Sequence, residues 1–175
     1  MVQFVTSDTY LGRENILSIF KRPFKSVEEM NETIIERWNS KVSKEDIVYH
    51  LGNFFWDPMT ATDYIEVLNG KIVIFPTQND LAAIELSRSH PEKIELYASS
   101  ILEIPESGIV MGHYPMEDWN GKKNGTVHFH GHSLEYKTDF SIMKRVNCCT
   151  DSWDFYPVEI GAIFDFISNY ENPNE

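Results

Sequence analysis

The sequence predicts an α/β fold in which two β-sheets pack together and helices cover the outside. In the first half, short apolar runs alternate with helical segments, whereas the second half is richer in strand-like runs. Hydrophobic residues make up 42% of the 175 residues and aromatic residues 13%, which is enough to build a core. No repeat or linker divides the chain, so residues 1–175 are expected to form a single domain.

The first half is predicted to alternate strands with helices. Ser26 and Glu29 form a capping box, and Met30, Ile34 and Trp38 then recur with the spacing of one helix face. Thr77, three residues before Asp80, is expected to cap a later helix. Gly, Asn and Pro bound the segments. The predicted strands are 2–5, 47–51 and 71–75, and the predicted helices are 26–38, 61–68 and 81–88.

The second half is predicted to contain five short strands and one closing helix. Each strand is a run of about four apolar or β-branched residues, and Pro157 stands at the start of the helical segment, where proline is favoured. The predicted strands are 94–97, 101–104, 109–111, 126–129 and 143–147, and the predicted helix is 158–170.

Charge and cysteine usage limit the partners and the compartment. The formal net charge of -12 makes nucleic acid an unlikely partner and favours a basic protein. No apolar run has the roughly 18 residues that span a bilayer, and residues 1–5 lack the features of a signal peptide. The two cysteines, Cys148 and Cys149, are adjacent, so a disulfide framework is not expected; a vicinal disulfide is the alternative. We predict a cytoplasmic protein of unknown oligomeric state.

Polar residues follow four groups of predicted strands at the points where the strands end. In open α/β sheets such positions form sites, because the carboxyl ends of parallel strands meet at one edge. His, Asp and amide oxygens are ordinary ligands of zinc, manganese or iron. The alternative is that the histidines are surface residues or hydrogen-bonded core residues. The four groups are Asp8-Thr9-Tyr10, Gly52-Asn53, Thr77-Gln78-Asn79-Asp80, and His113 with His130-Gly131-His132.

Taken in order, these groups resemble the motifs of calcineurin-like metallophosphoesterases. That family carries Asp-x-His, Gly-Asp, Gly-Asn-His-Asp, Gly-His, and then Gly-His-x-His or His-Gly-His. The chain is most similar to small phage and bacterial members, and the resemblance covers nearly its whole length. It implies a four-layer α/β/β/α sandwich with a dinuclear metal site. Further similar segments are 7–9, 22–24, 26–30, 48–52, 68–70, 113–115, 119–121, 128–132 and 151–154.

The expected site departs from that pattern at four positions. Tyr10 replaces a histidine ligand, Asn53 replaces the carboxylate that bridges the two metals in the family, and Gln78 replaces a shorter amide. Asn79 stands where the family has its catalytic histidine and cannot release a proton. Two divalent cations about 3.5–4 Å apart repel by roughly 18 kcal/mol at an effective dielectric constant of about 20, so losing the bridging charge is costly.

The resemblance implies that the surviving ligands are divided between two partial metal sites. The first keeps Asp8 and His132, and the second keeps His113, His130 and Gln78 as a weak third ligand. We therefore expect no metal, or one zinc or manganese ion at a partial site. Asp80 and Arg13 are expected to line the same pocket, as is Tyr10. An active enzyme would have to recruit other groups, such as Glu14, His50 or Tyr10.

Three functional hypotheses follow from these residues. The first is a pseudoenzyme that uses the phosphoesterase scaffold as a protein-binding accessory or host-interaction factor, in keeping with the similarity to phage proteins. The second is a residual single-metal phosphoesterase acting on a nucleotide or phosphodiester, and the third is a metal-free pocket that sequesters a nucleotide. Phe55 and Trp56 are the candidate partner-binding residues, with packing inside the protein as the alternative.

Overall fold

The computed structural model describes residues 1–133 and 144–171, and within them the chain forms nine β-strands and five α-helices. The strands are β1 (Gln3–Thr6), β2 (Ile47–His50), β3 (Lys71–Ile74), β4 (Ile94–Leu96), β5 (Ile101–Ile104), β6 (Ile109–Gly112), β7 (Val127–His130), β8 (Arg145–Asn147) and β9 (Val158–Glu159). The helices are α1 (Ile16–Ile19), α2 (Val27–Lys41), α3 (Pro58–Val67), α4 (Leu81–Ser89) and α5 (Ile160–Glu171).

The described strands form two sheets. The first sheet has the order β4-β3-β2-β1-β9, in which β1 to β4 are parallel and β9 pairs antiparallel with β1. The second sheet has the order β5-β6-β7-β8, in which β5 is antiparallel to β6 and the other pairs are parallel. The predicted α/β class with two sheets and helices is confirmed.

Strand alternation separates two hydrophobic cores. On the helical face of the first sheet, Ile72 and Ile74 pack with residues of α2, α3 and α4, among which Trp38 is 1% exposed. Val73 lies between those two isoleucines and faces the opposite way, because neighbouring strand residues point to opposite faces. It belongs to the core between the sheets, together with Met111 and Phe129 of the second sheet and the apolar side chains of α5.

The structure corrects several predicted element boundaries. Val158 and Glu159 form β9 instead of starting the last helix, because their backbone groups pair with the edge of β1. The short helix α1 was not predicted. Thr77 is not a helix cap; Asp80 is the N-cap residue of α4, and it accepts hydrogen bonds from the Thr77 N–H and hydroxyl, each at 2.7 Å. Met143, the first residue of a predicted strand, lies outside the described residues.

Other local predictions are confirmed. The Ser26 hydroxyl accepts from the Glu29 N–H at 3.2 Å, as a capping box requires, although the Glu29 carboxylate reaches back to the N–H of Lys25. Cys148 and Cys149 are both free and buried. Among the described helices, none combines the length and the apolar character needed to cross a bilayer.

Candidate functional site

Strand ends from both sheets meet in one cluster of polar side chains, which we call the site network. Its members are linked by side-chain contacts and are Asp8 after β1, Asn53 after β2, Asn79 after β3, His113 after β6 and His132 after β7. Asp8, Asn53 and His113 are buried, whereas His132 is exposed. The sequence predicts that these five residues converge on one pocket together with Gln78 and His130. These contacts join the five, and they do not include Gln78 or His130.

The carboxamide of Asn53 is the centre of the site network. Its Nδ2 atom lies 2.7 Å from Asp8 Oδ1 and 3.5 Å from His113 Nε2. An ionised carboxylate can only accept, so the amide must present its NH₂ group to Asp8. Its carbonyl oxygen then accepts from Asn79 Nδ2 at 2.9 Å. A neutral amide thus meets the hydrogen-bonding needs of a carboxylate, a second amide and an imidazole together.

Two buried carboxylates lie at this edge of the sheets, and they have different partners. Asp80 accepts from the backbone N–H groups of Asn53 at 2.9 Å and Phe54 at 2.7 Å, in addition to its bonds with Thr77. It therefore holds the loops after β2 and β3 together, and it is 0% exposed. Asp8 accepts from Ser7 Oγ at 2.5 Å, the Asn53 amide, and the backbone N–H of His132 at 2.8 Å.

Backbone contacts determine the orientation of the His113 imidazole. His113 Nδ1 lies 2.6 Å from the carbonyl oxygen of Leu51, which can only accept, so Nδ1 carries the proton. In the neutral ring, Nε2 is then the acceptor; it faces the Asn53 amide and lies 3.3 Å from His132 Nδ1. A backbone carbonyl behind the ring is also how metal-binding histidines are commonly held.

The structure changes the expected pairing of the histidines. The resemblance implies that His113 and His130 share one partial metal site, but the imidazole beside His113 is that of His132. His128 and His130 share the face of β7 that points away from the core, with ring centroids 5.4 Å apart, and His130 Nδ1 contacts the carbonyl oxygen of Gly131 at 2.9 Å. We call His128 and His130 the buried histidine pair, because they are 0% and 2% exposed.

The histidines of this pair are held as neutral imidazoles. The backbone N–H of Met116 donates to His128 Nε2 at 3.2 Å, and His128 Nδ1 contacts the carbonyl oxygen of Val110. Burial lowers the pKa of His128, and burial lowers the pKa of His130 to about 4. His50, at the end of β2, is fully buried and has its pKa lowered for the same reason. The sequence assigns no functional role to His128, although its two-residue spacing from His130 indicates a shared strand face.

Left-handed backbone conformations concentrate around the site network. The φ angles are +58° at Asp8, +52° at Tyr10, +57° at Asn53 and +63° at His132. This region is uncommon for residues other than glycine and is costly for bulky side chains such as tyrosine. Gly131 is required beside them, since a Cβ atom there would collide with Ser7 Oγ. The chain therefore accepts local strain at the edge where the polar side chains meet.

Arg22 stabilises the loop that contains Asp8 and Thr9. In the sequence it is recognised only as part of the segment 22–24, which resembles the metallophosphoesterase family. Its buried guanidinium pairs with both carboxylate oxygens of Asp151 at 2.9 and 2.7 Å. It also donates to the backbone carbonyls of Asp8 at 2.6 Å and Thr9 at 2.7 Å. The sequence signal for the Arg22–Asp151 pair is an arginine and an aspartate that each flank an apolar segment. This signal is weak when the fold is not known.

The remaining predicted residues are Tyr10, Arg13, Trp56, Gln78 and Phe55, and they have different surroundings. Tyr10 lies at the wall of the network, where burial raises its pKa and keeps the phenol protonated. The Arg13 guanidinium covers the Trp56 ring at 4.0 Å from the centroid, and Trp56 is 44% exposed. Gln78 is exposed and makes no hydrogen bond to another described residue, so its expected role as a ligand finds no support.

Phe55 is not available as a partner-binding residue. It is 1% exposed, and its ring stacks on Phe54 with centroids 3.8 Å apart and on Tyr64 at 6.3 Å. The alternative stated for it, packing inside the protein, is the correct one. Leu11 and Phe55 also form an isolated bridge, which turns the Phe55 side chain inward and leaves Trp56 at the surface.

The site network offers a limited set of metal ligands. Within residues 1–133 and 144–171, no three His, Cys, Asp or Glu side chains form a group arranged to hold a metal ion. The nearest approach is His113 with His132, whose nitrogens are 3.3 Å apart. Two nitrogens at about 2.0–2.1 Å from a tetrahedral zinc ion are roughly 3.3–3.4 Å apart, so this separation fits zinc. The Asn53 NH₂ group, however, lies between Asp8 and these rings.

Comparison with known proteins supports the fold. No known family profile matches the chain. An uncharacterized protein of Methanocaldococcus jannaschii, MJ1445, is 29% identical over 171 residues, covering 94% of this chain and 90% of that protein. The crystal structure of AQ665 from Aquifex aeolicus, a protein of unknown function, superposes with a TM-score of 0.71 at 21% identity, covering 94% of this chain and 98% of the other. The same α/β architecture therefore occurs in a bacterial protein.

Proposed function

We propose that this protein is a degenerate calcineurin-like metallophosphoesterase that acts as a protein-binding module. The observation that carries the proposal is the Asn53 amide, which stands where the resembling family has its metal-bridging carboxylate. It joins Asp8, Asn79 and His113 by hydrogen bonds that need no cation. The four-layer sandwich, the phage-like origin and a cytoplasmic location belong to the same proposal.

Electrostatics supports a site that does not assemble two metals. The Asn53 amide brings no negative charge, so two divalent cations would retain most of the repulsion of roughly 18 kcal/mol at an effective dielectric constant of about 20. Tyr10 is a poor ligand while its phenol is protonated, and burial raises its pKa. Asn79 uses its NH₂ group on Asn53 and has no proton to give a leaving group.

Purified protein tests the absence of hydrolysis directly. We expect negligible turnover of an aryl phosphodiester with manganese or zinc and fewer than two bound metal ions by elemental analysis. Turnover near ~1 s⁻¹, the low end for ordinary enzymes, would contradict the proposal if it disappeared in a His113→Ala variant. The variant must be folded, which circular dichroism can establish.

The surface formed by Arg13 and Trp56 supports protein binding. Tryptophan and arginine are the residue types that most often dominate interface energies, and here they stack at 4.0 Å beside the site network. The net charge of -12 favours a partner with a basic surface. Exposure of Trp56 also explains why it, and not Phe55, is the residue to test.

A pull-down with immobilised protein tests this surface. Trp56→Ala should reduce capture of a specific basic partner by about tenfold or more, the effect of losing a central aromatic contact. Val67→Ala is the matched control, because Val67 is 52% exposed at the far end of α3. Equal capture by both variants would remove this surface from the proposal while leaving the absence of hydrolysis untouched.

A single bound metal ion is the second candidate. It is favoured by the 3.3 Å separation of His113 Nε2 and His132 Nδ1 and by the Leu51 carbonyl that holds the His113 ring. In this case the protein is a residual phosphoesterase acting on a nucleotide or phosphodiester. One equivalent of zinc or manganese that is lost in His132→Ala would favour this candidate over the first.

A further inference from the structure

Two neighbouring helices, α3 and α4, begin beside the loop that carries Trp56. They follow the parallel strands β2 and β3 and pack against each other. Trp56 directly precedes Asp57, the N-cap residue of α3, and Asp80, the N-cap residue of α4, accepts from the N–H of Phe54 in the same loop. The first turns of both helices therefore adjoin this loop. We use the name helix-end surface for Trp56, Met59, Asp63, Leu81 and Glu85.

The apolar part of the helix-end surface is open to solvent. Met59 is 88% exposed, Leu81 is 66% exposed and Trp56 is 44% exposed. Met59 lies in the first turn of α3 and Leu81 is the first residue of α4, so both belong to the same end of the helix layer. Exposed apolar residues that are grouped together mark interaction sites, and a methionine side chain adapts to the shape of an apolar partner.

One turn further along each helix, an acidic residue occupies the same face. Asp63 follows Met59 by four residues and Glu85 follows Leu81 by four, a spacing that makes the two side chains neighbours on a helix. Asp63 and Glu85 are both exposed. Among the residues that the structure describes, neither carboxylate has an ion-pair or hydrogen-bond partner. This includes Arg88, which lies in the last turn of α4.

Helix stability does not account for these two carboxylates. Negative charge stabilises a helix within its first turn, whereas Asp63 is the sixth residue of α3 and Glu85 is the fifth of α4. The residues four positions further on are Val67 and Ser89, so neither acid is followed by a cation with which it could form an ion pair along the helix. Both carboxylates are therefore available to cations of another molecule.

We propose that the helix-end surface binds a basic amphipathic segment of a partner protein. Its apolar residues would pack on Trp56, Met59 and Leu81, and lysines or arginines about 5.4 Å away, one helical turn, would meet Asp63 and Glu85. The net charge of -12 attracts such a segment and repels an acidic one. The inference rests on the protein-binding function proposed above and adds the chemistry of the partner.

Selection from a randomised library of helical peptides of about 15 residues, with the full chain as bait, tests the inference. Enriched peptides should combine apolar residues with Lys or Arg one helical turn away. The double charge reversal Asp63→Lys with Glu85→Lys should weaken binding of the best peptide about tenfold or more. A matched peptide with Glu in place of its Lys and Arg should show the opposite preference, binding the reversed variant more tightly than the parent.

The matched control is Glu32→Lys with Glu36→Lys on α2. These residues are also exposed and four positions apart, so the control changes the net charge by the same amount at another place. It should leave binding of the best peptide nearly unchanged. Circular dichroism establishes that both double variants are folded.

Three results would overturn the inference. One is a selection that enriches no peptide, or only peptides without Lys and Arg. Another is binding that survives the folded charge reversal at Asp63 and Glu85. The third is equal weakening by the α2 control, which would mean that net charge alone attracts the peptide. Binding that is lost in Trp56→Ala but survives the charge reversal would reject the basic partner while leaving the proposed protein-binding function in place.

Discussion

The site network and the buried histidine pair both contain histidines of β7 or of the residues that follow β6 and β7, yet these histidines have different hydrogen-bond partners. In the site network, His113 Nε2 faces the Asn53 amide and the exposed His132. In the buried pair, His128 and His130 satisfy backbone groups and are almost completely excluded from solvent. His113 and His132 therefore face the site network. His128 and His130, which are nearby in the sequence, contact backbone groups instead.

The difference arises from where each histidine stands relative to its strand. His128 and His130 are inside β7, so strand alternation commits both to the face opposite Phe129. His132 follows the strand, where the left-handed backbone turns its side chain toward His113. The histidines inside β7 contact backbone groups, whereas His113 and His132, one and two positions beyond their strands, reach residues that follow the strands of the first sheet.

Asn53→Asp should have the largest effect, because it places a second carboxylate 2.7 Å from Asp8 Oδ1. Two unit charges about 4 Å apart repel by roughly 4 kcal/mol at an effective dielectric constant of 20. We expect a loss of unfolding free energy of that order at pH 7 in chelator, and partial recovery with manganese or zinc. Chemical denaturation with and without metal measures both effects.

Asn124→Asp is the control for this substitution, since it adds the same charge at an exposed position. It should change the unfolding free energy by less than about 0.5 kcal/mol. If Asn53→Asp in chelator is as stable as the parent protein, the site network is looser than its hydrogen bonds indicate.

Acid should weaken the fold through the buried histidine pair. The pKa of His130 is lowered from 6.5 to about 4 in the folded protein, so the unfolded chain takes up a proton first as pH falls. Stability present above pH 6.5 is then lost down to about pH 4, at about 1.4 kcal/mol per pH unit, or about 3 kcal/mol from His130 alone. His128 and His50 act in the same direction.

Urea denaturation between pH 7 and pH 4.5 measures this loss. His130→Asn should flatten part of the slope, because it removes one of the groups that the unfolded chain protonates. A slope unchanged in that variant would mean that His130 takes up its proton without unfolding.

A pair of alanine substitutions should separate the two clusters with smaller effects. His128→Ala leaves the Met116 N–H without its acceptor, so we expect a loss of about 1–3 kcal/mol of unfolding free energy. His132→Ala removes an exposed ring while its backbone N–H still reaches Asp8, and we expect a change within about 0.5 kcal/mol. Thermal or urea unfolding of both variants checks the contrast, and equal losses would contradict it.

Much of the site could be predicted from the sequence because strand ends are local features. Asp8, Asn53 and His113 each follow an apolar run that ends at a polar residue or a glycine, and parallel strands bring such ends to one edge. The α/β class followed from the same alternation of apolar periods. Gln78 was predicted to be a metal ligand because of its position in a motif. It is exposed, because Asp80 is the residue of that loop whose side chain turns inward.

The sequence by itself determined the order of strands and helices, the set of polar strand ends and the acidic charge, since all of these depend on neighbouring residues. Tertiary structure decided which groups touch. It paired His113 with His132, turned the Asn53 amide toward Asp8, buried Phe55 and exposed Trp56. These outcomes depend on hydrogen bonds and packing between segments far apart in the chain, and a side chain's direction follows from the backbone conformation that those distant contacts impose.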